Sequence, residues 1–214
     1  MSWKAFLPVL LFGLGAAAGF AQDVSLKLPP PRKTGGMPLM EALNARQSTR
    51  KFVKDRPVSD QVLSDLLWAT WGFNRENKRT APTAVNAQEL DVYVLRDDGV
   101  WLYDARLNSL TRVHHEDVRA ATVSDLSRQP FVADAPITLV YVCDKTRLPA
   151  RASRPDWSLM DTGFLAQNAY LYCASVGLGT VVRGSFPPAE LAKAMHLKET
   201  QAITLCQCIG WPAE

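Results

Sequence analysis

Residues 137–142 read Ile-Thr-Leu-Val-Tyr-Val. This run is almost entirely apolar and rich in β-branched side chains, which is typical of a strand covered on both faces. It therefore predicts the central strand of a sheet. Further strands are predicted at 92–95, 100–103, 180–182 and 202–206, the first two joined by the hairpin turn Asp97-Asp98-Gly99.

Helical patterns lie between and before these strands. Ser59 is a typical N-cap, and the apolar stripe that follows it predicts a helix to about residue 71, ended by Gly72. Other helices are predicted over 39–45, 116–126, 161–176 and 188–195, and the pattern of 161–176 is apolar on most faces. Hairpins and helices around one central sheet indicate the α+β class.

Composition narrows the function classes. The chain has 214 residues, 47% of them hydrophobic, with 24 Lys and Arg against 21 Asp and Glu. It is too apolar for a disordered chain, and its length suits one domain. A net charge of +3 gives no basic field of the kind that binds nucleic acid, so we expect no nucleic-acid partner.

The four cysteines all lie in apolar stretches, which predicts buried free thiols. Cys206 and Cys208 would point to one side of a strand, near the outer limit for a disulfide. The histidines show no zinc-ligand spacing with them, so no metal site is expected.

The first 21 residues have the layout of a secretory signal peptide. Lys4 is followed by an uncharged apolar run over 5–20, and Gly19-Phe20-Ala21 offers small residues before a cleavage site. The alternatives are an uncleaved anchor, although the run is shorter than the ~20 residues of a spanning helix, and an apolar leader that arises by chance. We expect a periplasmic or secreted protein without a stable membrane span after cleavage, or a cytoplasmic one if the N-terminus is not processed.

Residues 22–37 are rich in proline and glycine and predict a flexible leader outside the core. The folded domain is then expected over 38–214.

Two polar stretches carry the candidate chemistry. In Arg46-Gln47-Ser48-Thr49-Arg50, two guanidiniums and a hydroxyl converge whether the segment is extended or helical. An anion between the guanidiniums would relieve their repulsion, and phosphate oxygens match their paired donors. A solvated basic turn is the alternative interpretation of this segment.

The second stretch is Thr80-Ala81-Pro82-Thr83-Ala84-Val85-Asn86-Ala87-Gln88. Its small residues would let a flat ligand lie close to the backbone, and its amides could bind the edge of a heteroaromatic ring. An ordinary polar loop is the alternative. No nucleophile–base signature or nucleotide-binding glycine motif appears anywhere in the chain.

Together these stretches resemble motifs of the nitroreductase family of flavin enzymes. Residues 46–52 are similar to its R-x-S-x-R-x-F opening, and 80–88 to its A-P-S-x-x-N-x-Q loop. Residues 161–168 resemble its D-x-G-x-x-x-Q-N helix, and Gly177-Leu178-Gly179-Thr180 and Ile209-Gly210-Trp211-Pro212 resemble its G-L-G-T and G-Y-P motifs. The run 181–186 is similar to the branch that includes azoline-oxidising dehydrogenases.

The resemblance implies an α+β sandwich with a mostly antiparallel sheet, an intertwined homodimer, and FMN at the dimer interface. Arg46, Gln47, Ser48 and Arg50 would hold the phosphate and ribityl end, while Thr83, Ala84 and Asn86 would reach the flavin from the other subunit. Arg183, Gly184 and Ser185 would lie against the isoalloxazine edge, and Gln129 is a further candidate. The chemistry would take place on flavin N5, with no catalytic side chain.

The implied function is an FMN-dependent oxidoreductase that passes hydride or electrons to a flat acceptor such as a nitroaromatic or quinone. A flavin-binding electron carrier and an azoline-type dehydrogenase acting on a peptide are the alternatives. The sequence ends at Glu214 without the basic residues that many members carry after G-Y-P, so the phosphate is expected to rely on Arg46 and Arg50. NAD(P)H is the usual donor in the family, and an exported enzyme would need another, such as a redox protein.

Overall fold

The computed structural model describes residues 24–150 and 156–214. The predicted signal peptide, 1–21, lies outside these residues. The described strands are β1 (Ser25–Lys27), β2 (Phe73–Arg75), β3 (Lys78–Arg79), β4 (Leu90–Arg96), β5 (Gly99–Asp104), β6 (Ser109–His114), β7 (Ile137–Asp144), β8 (Gly179–Arg183) and β9 (Gln201–Gly210). β2 and β3 form a separate hairpin, and the other seven form one antiparallel sheet in the order β1-β6-β5-β4-β7-β9-β8.

Helices cover both faces of this sheet. They are α1 (Leu39–Ala45), α2 (Asp60–Trp71), α3 (Phe131–Asp134), α4 (Trp157–Ser175) and α5 (Pro188–Ala194). α2 and α4 pack together on one face, whereas α5 and the 3₁₀ turn Arg119–Thr122 pack on the other. The predicted α+β fold with a central antiparallel sheet is confirmed.

β7 shows how the sequence produces these two layers. Its residues from Ile137 to Cys143 are all buried, as the apolar run 137–142 predicts. Leu139 and Tyr141 belong to the core under α2 and α4, while Val140 and Val142 belong to the core under α5. Because successive side chains in a strand point to opposite faces, an unbroken apolar run supplies both layers.

Both ends of α2 lie where the sequence predicts them. Ser59 Oγ accepts a hydrogen bond from the Val62 amide at 3.4 Å, and Gly72 forms the C-cap. An added Cβ at Gly72 would lie 2.3 Å from Trp68 Cδ1, so glycine is required there by close packing.

The prediction of a flexible leader over 22–37 is wrong for the described part of that segment. β1 pairs with β6, and Leu28 is buried in the main core. Ser64 Oγ donates to the Pro29 carbonyl, as does Asn108 Nδ2 at 2.8 Å. Val24, Leu26 and Leu28 alternate with polar residues in the pattern of a strand. Residues 24–36, the N-terminal arm, therefore belong to the fold.

A second correction concerns 116–126, for which the sequence predicts a helix. The structure has only the 3₁₀ turn Arg119–Thr122 there. Asp117 Oδ1 accepts the Arg119 amide at 3.0 Å, and Asp125 Oδ1 accepts the Ser127 amide at 2.9 Å. Such side-chain bonds to nearby amides compete with helical bonds and favour turns.

The four cysteines are buried and free, as predicted. Within 24–150 and 156–214, no group of three or more His, Cys, Asp or Glu side chains could hold a metal ion. Over the same ranges, no helix has the length and hydropathy to cross a membrane.

Candidate functional site

Residues 46–50 follow α1 and lie along β8, the last strand of the sheet. The Thr49 amide donates to the Thr180 carbonyl at 2.9 Å, and Phe52 pairs with Pro212. A Cβ at Gly179 would lie 2.7 Å from Thr49 Cγ2, so this close approach requires glycine. The segment therefore covers the sheet edge and holds its own side chains at a fixed place.

Tyr170 of α4 joins two of the predicted phosphate-site residues. Its hydroxyl oxygen accepts a hydrogen bond from the Val182 amide at 2.9 Å and lies 2.9 Å from Ser48 Oγ, to which it can donate its proton. The guanidinium carbon of Arg46 lies 5.3 Å from the Tyr170 ring centre, a cation–π contact. Arg46 and Ser48 thus converge, as predicted, on a side chain that the sequence analysis did not identify.

The two arginines of this segment lack carboxylate partners in the part of the chain that the structure describes. Arg46 is half-buried and Arg50 is exposed, and neither forms an ion pair with any carboxylate of the described residues. Gln47 is exposed and lines a cavity of about 210 Å³ together with Tyr170 and Thr180. Two cations without a carboxylate partner among the described residues, in one short segment with a hydroxyl and an amide, suit a phosphate ester.

The second predicted segment forms a tight loop. Residues Ala84–Asn86 make a 3₁₀ turn, and the Gln88 amide donates to Thr83 Oγ1 at 3.0 Å. The Ala84 amide donates to Asp161 Oδ2 on α4 at 2.8 Å, which fastens the loop to the helix. Gln88 Nε2 reaches Asn86 Oδ1 at 3.3 Å. The 83–88 loop is held by its own polar groups and by one carboxylate.

This loop is strained. Val85, Asn86 and Gln88 have φ values of 49°, 58° and 50°, a region that is uncommon for residues other than glycine, and Val85 is β-branched. Conformations of this kind cost about 1–3 kcal/mol each and persist where surrounding contacts enforce them. Asp161 and Thr83 supply such contacts, so the conformation depends on them.

The two predicted segments lie at different levels of α4. The 83–88 loop is fastened at Asp161, and residues 46–50 contact Tyr170, nine residues further along the helix. At 1.5 Å per residue this separation is about 13–14 Å. One protomer therefore does not bring Ser48 and Asn86 into a single small pocket.

The remaining predicted residues lie at the end of β8. Arg183 is 6% exposed, and its Nη1 donates to the Thr122 carbonyl at 2.9 Å and to Gln129 Oε1 at 3.3 Å. Arg183 and Gln129 are thus brought together, and this guanidinium holds the 119–129 segment. Gly184 and Ser185 are exposed and leave the backbone open.

No activated nucleophile is found in the described part of the chain that surrounds this site. The cysteines are buried, and desolvation raises the pKa of the Cys206 thiol to about 12, so it stays protonated at neutral pH. The arrangement can bind and orient an anionic, flat ligand, but it offers no side chain for covalent catalysis.

Three residues that matter here were missed. Tyr170 lies within an apolar helical stretch and has no local signature. Asp161 stands in the sequence only as part of a motif, and Glu89 directly follows the loop without a motif of its own. A carboxylate within an apolar helix and another beside a polar loop were the available signals, because buried carboxylates usually have a partner or a function.

Comparison with known proteins adds the family context. The sequence model of the nitroreductase family matches residues 43–211. A solved protein from Ralstonia eutropha JMP134, described as a nitroreductase, shares 37% identity with a TM-score of 0.82 over 99% of this chain and 97% of its own.

More distant structures share the fold. An NADPH:FMN oxidoreductase from Vibrio harveyi, solved with NAD⁺, has 22% identity and a TM-score of 0.61 over 82% of this chain and 69% of its own. A microcin synthetase complex from Escherichia coli, solved with a truncated precursor bound, has 18% identity and a TM-score of 0.70 over 99% of this chain and 85% of its own.

Proposed function

The chain belongs to the nitroreductase family of oxidoreductases, as its motifs predict, and on this premise we propose that it binds FMN and passes hydride or electrons to a flat acceptor such as a nitroaromatic or a quinone. The observation that carries the proposal is that Arg46 and Ser48 converge on Tyr170, with the exposed Arg50 in the same short segment and no carboxylate partner for either arginine among the described residues. The Vibrio harveyi relative is an NADPH:FMN oxidoreductase, which supports the choice of cofactor.

The residues present fit this cofactor. Arg46 and Arg50 offer the charge that a phosphate dianion needs, and Ser48 and Gln47 offer hydrogen bonds to a ribityl chain. At the other end, Gly184 is exposed, and a Cβ added to it would find Leu205 Cδ2 as its nearest contact, at 3.9 Å. That open backbone leaves room for a planar ring.

In this proposal, different residues of the site hold the phosphate and enclose the ring. FMN supplies the redox chemistry when it is bound. Arg46 and Arg50 hold its phosphate, and Tyr170 fixes Ser48 against β8 so that the hydroxyl points at the ligand. The backbone after Arg183 and the 83–88 loop enclose the ring and limit the acceptor to flat molecules. No side chain is assigned a covalent step.

We further propose that the enzyme works as a homodimer. Seven large apolar side chains on α1, α4 and the 83–88 loop are exposed, and we assign them to one apolar surface of a kind that monomers rarely leave uncovered: Leu39, Met40, Leu43, Val85, Leu159, Met160 and Phe164. A second copy on this surface would bring its own 83–88 loop toward residues 46–50, which one protomer keeps apart. Thr83, Ala84 and Asn86 would then contact FMN across the interface.

The identity of the electron donor depends on whether the protein is exported. We propose that residues 1–21 are removed and that the protein works in the periplasm or outside the cell. NAD(P)H is the donor if the N-terminus is not processed, and a redox protein is the donor if the enzyme is exported. Mass spectrometry of protein from its native host tests this, because an intact Met1 in the cytoplasmic fraction would contradict export.

An optical experiment tests the function. The purified protein, reconstituted with FMN, should show flavin bands that bleach anaerobically under NADH, NADPH or a reduced redox protein. The bands should return when a nitroaromatic or quinone is added. Bleaching by dithionite alone, without return on addition of any acceptor, would favour the electron-carrier alternative. A protein that retains no FMN would contradict the proposal.

An azoline-type dehydrogenase acting on a peptide is the second candidate. The run 181–186 and the fold shared with the microcin synthetase complex favour it. Bleaching of the flavin by an azoline-containing peptide, but not by NAD(P)H, would support it over a reductase.

A further inference from the structure

Glu89 is a buried carboxyl group to which the proposed function gives no task. It directly follows the 83–88 loop, its exposure is 0%, and neither of its oxygens has a hydrogen-bond partner among the described residues. Asp161, which is 5% exposed, lies against it from α4. Two carboxyl groups therefore meet, away from water, at the base of the loop.

Among residues 24–150 and 156–214, the groups seen around this pair do not neutralise two negative charges. From α4, the Ser158 hydroxyl lies near Glu89 and within 3.2 Å of Cys143 Sγ on β7, and neither the hydroxyl nor the thiol carries a positive charge. The cation after β7, Arg147, already pairs with Asp91 at 2.5 Å and with Asp144 at 3.8 Å.

Two carboxylates in such a place cannot both be ionised at low energy. Burial raises the pKa of the Glu89 carboxyl, and the negative charge of Asp161 raises this pKa further. A proton on Glu89 also gives the pair a hydrogen-bond donor, which two carboxylates lack.

The pair is connected directly to the candidate cofactor loop. Asp161 Oδ2 accepts the hydrogen bond of the Ala84 amide at 2.8 Å, and Ala84 begins the strained 3₁₀ turn. Any force that moves Asp161 thus acts on the conformation of Val85 and Asn86, whose φ values are positive.

We propose that Glu89 and Asp161 share one proton and that this pair is a positioning device for the 83–88 loop. Its effect on the cofactor rests on the proposed function. When the shared proton is lost, repulsion between the carboxylates moves Asp161 away from the Ala84 amide, and the loop relaxes. FMN should then bind more weakly at high pH than at low pH.

Glu89→Gln tests the shared proton without FMN. Glutamine keeps the shape and a donor for Asp161 but cannot ionise. The wild type should show the infrared carbonyl band of a protonated carboxylic acid at neutral pH, and Glu89→Gln should lack it. The exposed Glu190→Gln is the matched control and should keep the band. A wild type without the band would overturn the shared proton.

The pH dependence of the free energy of unfolding provides a second test, and the proposal predicts its direction. A raised carboxyl pKa in the folded state means that the folded protein holds a proton that the unfolded chain releases. Stability is therefore lost as pH rises from the ordinary Glu pKa, about 4.3, through the raised value. Glu89→Gln should lack this loss and should gain on the wild type with rising pH. Parallel pH profiles for the two proteins would contradict the proposal.

FMN titrations test the positioning role. As pH rises through the titration of the pair, the ratio of wild-type to Glu89→Gln dissociation constants for FMN should rise, on the order of tenfold. Asp161→Asn, whose amide oxygen can still accept the Ala84 N–H, should also flatten the profile, and Glu190→Gln should retain it. A ratio that stays constant with pH would overturn the positioning role.

The two proposals fail in different ways. If the wild type binds no FMN, the proposed function fails, and the protection of the Ala84 amide against hydrogen exchange still tests the loop. That protection should fall with rising pH in the wild type, beyond the change in intrinsic exchange, and should not fall in Glu89→Gln. Equal protection profiles would end the inference.

Discussion

The N-terminal arm, 24–36, and the segment 46–50 are both basic stretches that lie beside α4, yet they differ in whether a carboxylate neutralises their charges. Arg32 of the arm pairs with the buried Asp65, whose other oxygen also accepts the Arg32 amide at 2.7 Å. Arg46 and Arg50 have no carboxylate partner in the described chain. Basic character alone therefore does not mark a ligand site, and the two stretches differ in whether a carboxylate neutralises the charge.

The comparison extends to packing. The arm contributes Leu28 to the main core, and its proline carbonyls accept hydrogen bonds from Ser64, Asn108 and Gln61. Residues 47 and 48 are exposed, and the segment is held mainly through Thr49 and Tyr170. The arm should therefore govern stability and the segment should govern ligand affinity.

The largest expected effect is on the arm. Leu28→Ala removes a side chain that is 2% exposed in the main core and should lower the free energy of unfolding by about 2–4 kcal/mol. Urea denaturation measures this loss. Val24→Ala, at a site that is 43% exposed, is the control and should change it by about 0.5 kcal/mol at most. A loss for Leu28→Ala as small as that of Val24→Ala would show that the arm is only loosely attached to the core.

The second expected effect is on residues 46–50, where a substitution should lower FMN affinity and leave stability nearly unchanged. Arg50→Ala removes a charge-assisted contact to phosphate and should weaken FMN binding by about 1.5–3 kcal/mol, roughly 10- to 100-fold. Its free energy of unfolding should change by about 0.5 kcal/mol at most, because Arg50 is exposed.

Arg128→Ala serves as the control for this second test. Its side chain is 85% exposed, and its pair with Asp125 lies on the surface. Fluorescence titration with FMN compares the two variants, and equal affinities would remove Arg50 from the phosphate site.

The smallest expected effect concerns Tyr170, which links the segment to the sheet. Tyr170→Phe keeps the ring beneath Arg46 but leaves the Val182 amide and Ser48 without this partner, so we expect a loss of about 1 kcal/mol in stability. FMN affinity should fall by a similar amount. Ser48→Ala should reproduce the affinity loss but little of the stability loss. Identical losses of stability in both variants would show that Tyr170 does not act through Val182.

Much of the fold follows from local pattern. The run 137–142 specifies the central strand because burial on both faces requires an unbroken apolar stretch, and Ser59 and Gly72 define the ends of α2 by capping and close packing. The arm was not predicted because its three consecutive prolines obscured the alternation of Val24, Leu26 and Leu28. The pattern of 116–126 predicts a helix, but Asp117 and Asp125 accept hydrogen bonds from nearby amides, which favours turns over a helix.

Only those parts of the site that depend on local sequence could be predicted. Arg46, Ser48 and Arg50 lie within five consecutive residues, so a local pattern is enough to group them as candidates. Tyr170 is 122 residues from Ser48, and Asp161 is 77 residues from Ala84. Contacts of that range are decided by how α4 packs on the sheet, which no local pattern encodes.

The most direct test of the central claim is a parallel titration of the wild-type protein with FMN and with riboflavin, which differ by the phosphate. If Arg46 and Arg50 are held without counter-ions to receive that phosphate, FMN should bind roughly 10- to 100-fold more tightly than riboflavin, and Arg50→Ala should remove most of the difference. Equal affinities of the wild type for FMN and riboflavin would contradict the account.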